Sequence, residues 1–303
     1  MRNLSGTSLV KMLALILGMV CAQSALAQSF KPVTVQGGAA LGQISSGGAS
    51  VWALGSNHHP YIYKKPQFVL ANTISLTQIA VGGGNAVKGD TVWGLDSAGR
   101  IYHAHLSGTS WVFSQVPGVL DLIAVGIGYQ DNCHPYEVWG LNPSAQIYRY
   151  SFCSKSFEQV PGTLGSLAVG GGDIWGINGN GDLYWFNFAT LNFDPQDVPS
   201  QTLTQVTVGP NDVWGVTTAS QATKCDTIDC LSSGGTFTQI QAGGDGIWAI
   251  DPTQQIFRVE TVHPHFVQNF VQMPAALVSI SVGSGGGVWG LNGAGQPFGF
   301  TTP

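Results

Sequence analysis

A tryptophan-centred segment that recurs seven times, four short β-type runs inside each repeat, and a composition rich in glycine and poor in charge together predict an all-β ring of four-stranded antiparallel sheets, a β-propeller. Glycine supplies 42 of the 303 residues, and charged residues make up only 9%. That balance suits many tight turns and does not suit a soluble helical bundle.

The repeat is an aliphatic residue, Trp, Gly or Ala, then another aliphatic residue. It begins at Val51-Trp52-Ala53-Leu54 and returns at Trp93, Trp139, Trp175, Trp214, Trp248 and Trp289, at spacings of 41, 46, 36, 39, 34 and 41. The stretch from Val138 to Gly172 displays the unit most clearly. A run at Val138 to Leu141 turns through Asn142 and Pro143 into Ile147 to Tyr150, followed by Phe157 to Pro161 and Leu167 to Gly170. Runs rich in Val, Ile, Tyr and Phe, punctuated by Gly, Asn and Pro, are strands joined by turns. The Trp run is expected to be the first strand of a blade and the Leu-Ala-Val-Gly run the fourth. No helical period of useful length appears beyond the leader.

The ends of the chain bear on closure. The 24 residues from Gln28 to Val51 and the 15 from Trp289 to Pro303 make 39, and the mean interval between successive Trp residues is 39.5. The two end segments are therefore expected to build one blade together. That pairing closes the ring and removes exposed sheet edges. Six complete units plus the shared one give seven blades. The unit from Trp214 to Ile247 is the least regular, because a segment around Cys225 to Cys230 replaces its second strand, and this leaves a six-bladed ring as the alternative.

Residues 1–27 read as a signal peptide: Arg2 and Lys11 form a basic start, Met12 to Val20 an apolar run, and Ala25-Leu26-Ala27 a small-x-small site before Gln28. Residues 28–303 are then a single domain, secreted to the periplasm or outside the cell. Removal of the leader leaves 9 basic against 16 acidic residues, a net charge of −7. With no basic cluster longer than Lys64-Lys65, nucleic acid is not an expected partner. No second apolar stretch is long enough to cross a membrane, so no membrane insertion is expected.

Cys133, Cys153, Cys225 and Cys230 remain in the exported chain, an even number that reads as disulfides. Cys133 precedes a Trp strand and Cys153 follows the next strand, so antiparallel pairing brings them to one rim. The expected pairs are Cys133 with Cys153 and Cys225 with Cys230. Their spacing suits no structural zinc site.

Phrases such as Val92-Trp93-Gly94-Leu95, Ile147-Tyr148-Arg149-Tyr150, and Val160-Pro161-Gly162 leading to Leu167-Ala168-Val169-Gly170 resemble tectonin repeats, over essentially the whole mature chain. The resemblance implies a propeller lectin: a multivalent carbohydrate-binding protein that recognises glycans, in some members O-methylated ones, through sites repeated around the ring. Fold alone does not fix that function.

Candidate sugar-binding residues follow in three groups. The recurring Trp93, Trp139, Trp175 and Trp289 serve either as packing between blades, the simpler role, or as platforms for sugar C–H faces. Asp96, Asn142, Asn178 and Asn292 open the turn after the Trp strand. They either hold it as Asx turns or bond sugar hydroxyls. Trp185 lies outside the shared Trp position, as does Trp111, and common packing explains neither.

The alternatives are a scaffold for protein–protein interaction and an enzyme with its site in the central channel. No nucleophile elbow, phosphate loop or calcium loop is present. His103 and His105 lie two apart on a strand, His263 and His265 flank Pro264, and His58 and His59 are adjacent. None has a carboxylate or third His at matching spacing, so no metal, no cofactor and no catalytic residue is expected. The protein is expected to act as a monomer.

Overall fold

Among the described residues, runs of two to ten residues, most of them alternating apolar and polar and cut by Gly, Asn and Pro, form 29 strands grouped into seven sheets. The computed structural model describes residues 29–84, 89–127, 131–196, 202–226, 230–262 and 267–301. The expected signal peptide, residues 1–27, and the His263 and His265 pair lie outside them.

Each blade is a meander. Blade 3 runs Leu122–Gly126, Glu137–Leu141, Gln146–Ser151 and Ser156–Thr163, each strand antiparallel to the next. The same order repeats in blade 1 from Leu41–Ser46, blade 2 from Gln78–Gly82, blade 4 from Ser166–Gly170, blade 5 from Leu203–Val208 and blade 6 from Gln239–Gly243. The phase differs from the sequence reading by one strand. Leu167 to Gly170 pairs with the Trp strand that follows it, Ala168 opposite Trp175, so it opens a blade instead of ending one. A repeat fixes the period but leaves open which strand comes first.

Closure is as expected, with an unequal division. Blade 7 takes Ser279–Val282, Val288–Leu291 and Pro297–Thr301 from the C-terminal end and only Ser29–Pro32 from the other end, with Phe30 opposite Phe300. Thr34–Val35 continues as a parallel fifth strand on the outer edge of blade 1. Blade 5 keeps all four strands, with bulges in its register: Gln221–Cys225 pairs with Cys230–Thr236, and Cys225 faces Cys230 across the hairpin. Seven blades result, and the six-bladed alternative falls.

The seven opening strands touch their counterparts in the neighbouring blades and surround a central channel. Each ends on a glycine or is followed at once by one, where backbones converge. A Cβ on Gly126 would stand 2.6 Å from the carbonyl oxygen of Val169 in the next blade, and one on Gly82 would stand 2.7 Å from that of Val125. Polar clips join the same strands. Gln78 accepts from Ile123 N at 3.0 Å and donates to Ile123 O at 3.2 Å, and Gln43 and Gln239 do the same to Ile79 and Ile280. Ser45 and Thr207 add hydroxyl acceptors for Val81 N and Ala242 N.

Between blades the core is aromatic. Trp93 packs on Tyr150 and Phe157 of the next blade, and Trp139 on Phe186 and Phe193. Burying an indole of roughly 200 Å² contributes on the order of 5 kcal/mol before entropy is counted, so a ring of such contacts is the main cohesion between sheets. One rim carries the loops into the Trp strands and the hairpins between third and fourth strands. The opposite rim carries the turns after the Trp strands and the linkers between blades. No helix among the described residues is long and apolar enough to cross a membrane.

Candidate functional site

The recurring tryptophans divide six to one. Trp52, Trp93, Trp139, Trp175, Trp214 and Trp248 are at most 2% exposed, whereas Trp289 is only partly buried. Trp93, Trp139 and Trp175 therefore have no free face for a sugar, which corrects their candidacy. They are the packing between blades.

A covering layer that the sequence reading missed lies over these rings. In blades 2 to 6 a hydroxyl or carboxylate stands near the start of the Trp strand, and directly across from the Trp, on the third strand, stands a planar or cationic side chain; in blade 1 Ser50 is joined by the aliphatic Ile62. In blade 3 these are Glu137 and Arg149, with the guanidinium 5.5 Å from the Trp139 ring. Blade 6 uses Asp245 and Arg258, blade 5 Asp212 and Lys224, and blade 2 Thr91 and His103, whose imidazole stacks on Trp93 at 4.3 Å and 12°. In blade 4, Trp185 faces Trp175 and donates to Asp173 at 3.3 Å. The visible signal was a spacing of 12 between acid and partner, as in Glu137 to Arg149 and Asp212 to Lys224.

Electrostatics follow burial. Desolvation raises the Glu137 carboxyl above its ordinary value against the pull of Arg149 and the Trp139 N–H. His103 is lowered to about 4, first by burial and then by His105, so it is a neutral covering ring. Among the described residues no three His, Cys, Asp or Glu side chains gather as a metal group would require.

The turn residues form a uniform set on the opposite rim. Oδ1 of Asn142 accepts from Ser144 N and Gln146 N, that of Asn178 from Asn180 N and Asp182 N, and that of Asn292 from Ala294 N and Gln296 N. Asp96 does the same with Ala98 and Arg100. Burial raises its carboxyl, and these bonds together with the Arg100 guanidinium outweigh that and hold it below the usual value. All four are Asx turns.

Two of these turns also border cavities. Between blades 2 and 3, a cavity of about 410 Å³ brings Asn142, Pro143 and Ser144 against Tyr148, Phe157, Ile101, the bulged end of the fourth strand, Pro117 to Val119, and Leu120 just past it. Between blades 4 and 5, about 330 Å³ is lined by Asn178, Asn180, Thr202, Thr204 and Thr218 with Gly179 and Gly181. In both, a turn meets a linker between blades. The channel holds a further cavity of about 370 Å³ at its glycine-rich mouth, and the described residues lining it are Gly, Val, Ala, Ile, Ser and Pro.

The cysteines pair as expected, Cys133 with Cys153 at a Cα separation of 5.0 Å and Cys225 with Cys230 at 4.0 Å. Trp111 packs edge-on against Trp52 at 4.8 Å, so the first outlying Trp is a blade contact. Trp185 is partly exposed beside the cluster that contains Cys225 and Cys230.

With this geometry in hand, comparison with known families is decisive: the Tectonin domain profile matches residues 26–191 and 187–302. The chain belongs to the Tectonin domain family. Solved structures share the fold of this tectonin propeller at low identity. YCF48 from Cyanidioschyzon merolae is 13% identical over 90% of this chain and 98% of its own, with a TM-score of 0.63. Prp20p from Saccharomyces cerevisiae is 8% identical over 86% of this chain and 82% of its own, at 0.62. U3-55K is 7% identical over 91% and 99%, at 0.67. No curated protein matches the chain.

Proposed function

We propose that this tectonin propeller is a secreted, non-enzymatic carbohydrate-binding protein that captures glycans, O-methylated ones included, in grooves between blades. The observation that carries the reading is the cavity between blades 2 and 3. It is lined by the aromatic residues Tyr148 and Phe157 together with Ser144 and Asn142. Aromatic rings suit the C–H faces of a sugar, and amides and hydroxyls suit its O–H groups. The volume is that of a small-ligand site. A second cavity at the equivalent turn of blade 4 supports more than one site per ring, and linked weak sites raise avidity by about 10² or more where geometry allows. Two disulfides fit an oxidising compartment outside the cytoplasm.

The test is a glycan array that includes O-methylated sugars, probed with purified residues 28–303 with and without free-sugar competition. Selective binding that free sugar displaces, and that Tyr148→Ala weakens, is the expected result. A blank array overturns the reading and leaves the scaffold alternative. In favour of that alternative, one structure of this fold, 14% identical with a TM-score of 0.63, is YCF48 bound to D1 peptide.

A further inference from the structure

Trp289 is the one member of the tryptophan ring whose covering layer is missing. Its cross-strand partner is Gly299, where blades 3 and 6 carry Arg149 and Arg258 and blade 2 carries His103. The residue two positions before it is Gly287, where blades 1, 2 and 3 carry Ser50, Thr91 and Glu137. Against the next blade Trp289 packs as the others do, on Tyr63 at 4.5 Å and Phe68 at 5.6 Å. The gap is therefore confined to the covering side, on the rim opposite the two cavities.

The filled blades show what fits there. Four of the buried indoles donate their N–H to an oxygen: Ser50 Oγ at 3.2 Å, Thr91 Oγ1 at 2.9 Å, Glu137 Oε2 at 2.7 Å and Asp245 Oδ2 at 3.2 Å. A flat or aliphatic side chain lies across the same ring. Where that side chain is a guanidinium, a carboxylate accompanies it, and Gly287 supplies none. A guest at Trp289 must then be neutral, with an apolar face for the ring and an oxygen for the N–H.

We propose that this gap is a distinct, single-copy monosaccharide site, in which a pyranose C–H face covers Trp289 and one of its hydroxyl oxygens accepts the indole N–H. The site rests on the carbohydrate reading but not on the cavities beside Asn142 and Asn178. Its chemistry differs as well, because the two glycines leave the indole to supply both the platform and the donor.

The site is tested by refilling it. Neither Gly287 nor Gly299 has a positive φ, and added Cβ atoms would stand 3.3 Å from Ser46 Oγ and 3.2 Å from the Trp289 ring, so neighbours yield by a few tenths of an ångström. Gly287→Glu combined with Gly299→Arg rebuilds the blade 3 pair over Trp289. Saturation-transfer NMR with methyl glycosides of common hexoses is run on Tyr148→Ala, which weakens the blade 2–3 cavity, with and without the refilling pair. Expected is residual transfer to ring C–H protons in Tyr148→Ala that falls on refilling, what remains coming from the cavity between blades 4 and 5. Residual transfer undiminished by refilling overturns the Trp289 site while the carbohydrate reading stands. No transfer to the wild-type protein overturns both. If the refilled protein fails to fold, Trp289→Phe in its place keeps the ring but deletes the N–H, and about a tenfold weaker affinity is expected, equivalent to about 1.4 kcal/mol; unchanged affinity rejects the site.

Discussion

Arg149 donates to Glu137 twice, from Nε to Oε2 at 2.8 Å and from Nη2 to Oε1, although the two side chains are only 9% and 0% exposed. The attraction offsets a large desolvation cost, so the pair adds little net stability, and loss of one partner leaves the other buried and uncompensated. Glu137→Gln should therefore destabilise the protein by about 3–5 kcal/mol in urea unfolding. Replacing both, as Glu137→Met with Arg149→Met, should recover most of that loss. Equal stability of Glu137→Gln and wild type would show that the pair is not the closed unit its geometry describes.

His103 gives a pH signature with a definite sign. Its value in the folded chain, about 4, lies below the unfolded value near 6.5. Above pH 6.5 both states are neutral and the contribution is fully present. As pH falls from 6.5 towards 4 the unfolded chain binds the proton first, and stability is lost. At pH 5 the loss is about 2 kcal/mol at most, less with solvent screening because the ring is only partly buried. Urea midpoints at pH 7 and pH 5 should drop further in wild type than in His103→Gln, and parallel drops would dismiss the effect.

Much of the fold is legible because the period is carried by large side chains. Trp and the aliphatic residues beside it must recur wherever a blade meets its neighbour, so Trp52 to Trp289 count the blades. Strand phase was not legible: Leu167 to Gly170 pairs equally well, on sequence, with the strand before it or the strand after it. The covering layer was hidden for another reason. Glu137, Asp173, Asp212 and Thr91 differ in type, and their partners Arg149, Trp185, Lys224 and His103 differ too, so conservation of geometry is not conservation of residue. The candidate site was half legible. Asn142 and Asn178 can be named from turn position, but the aromatic residues beside Asn142 are Tyr148 and Phe157, on strands whose sequence carries only a structural signal.

Gly126 tests the close approach at the channel mouth. A Cβ there would meet the Val169 carbonyl at 2.6 Å, and backbone cannot swing aside as a flexible side chain can. Gly126→Ala should cost about 1–3 kcal/mol, the usual range for overpacking, and lower the thermal midpoint without changing the circular dichroism of the folded protein. Gly179→Ala, in a turn with open space around the position, is the control and should cost less than about 1 kcal/mol. Equal effects would mean that the blades separate easily at this level.

Asn142 holds a turn and borders a cavity, and one substitution separates the two roles. Its Oδ1 accepts two backbone N–H groups while Nδ2 donates to Gln146 Oε1 at 2.8 Å. Asp96 and Asp251 fill the same turn position in blades 2 and 6 with the same pair of acceptor bonds, so a carboxylate is already known to satisfy this backbone. Asn142→Asp should leave stability within about 0.5 kcal/mol of wild type, whereas Asn142→Ala removes both turn bonds and should cost about 1–3 kcal/mol. Glycan binding moves differently. The carboxylate has no N–H to offer a sugar oxygen, so Asn142→Asp should weaken retention on a glycan surface while the protein stays as stable as before. If Asn142→Asp binds like wild type, the amide serves the turn alone, and recognition in this groove falls to Ser144 and the rings of Tyr148 and Phe157.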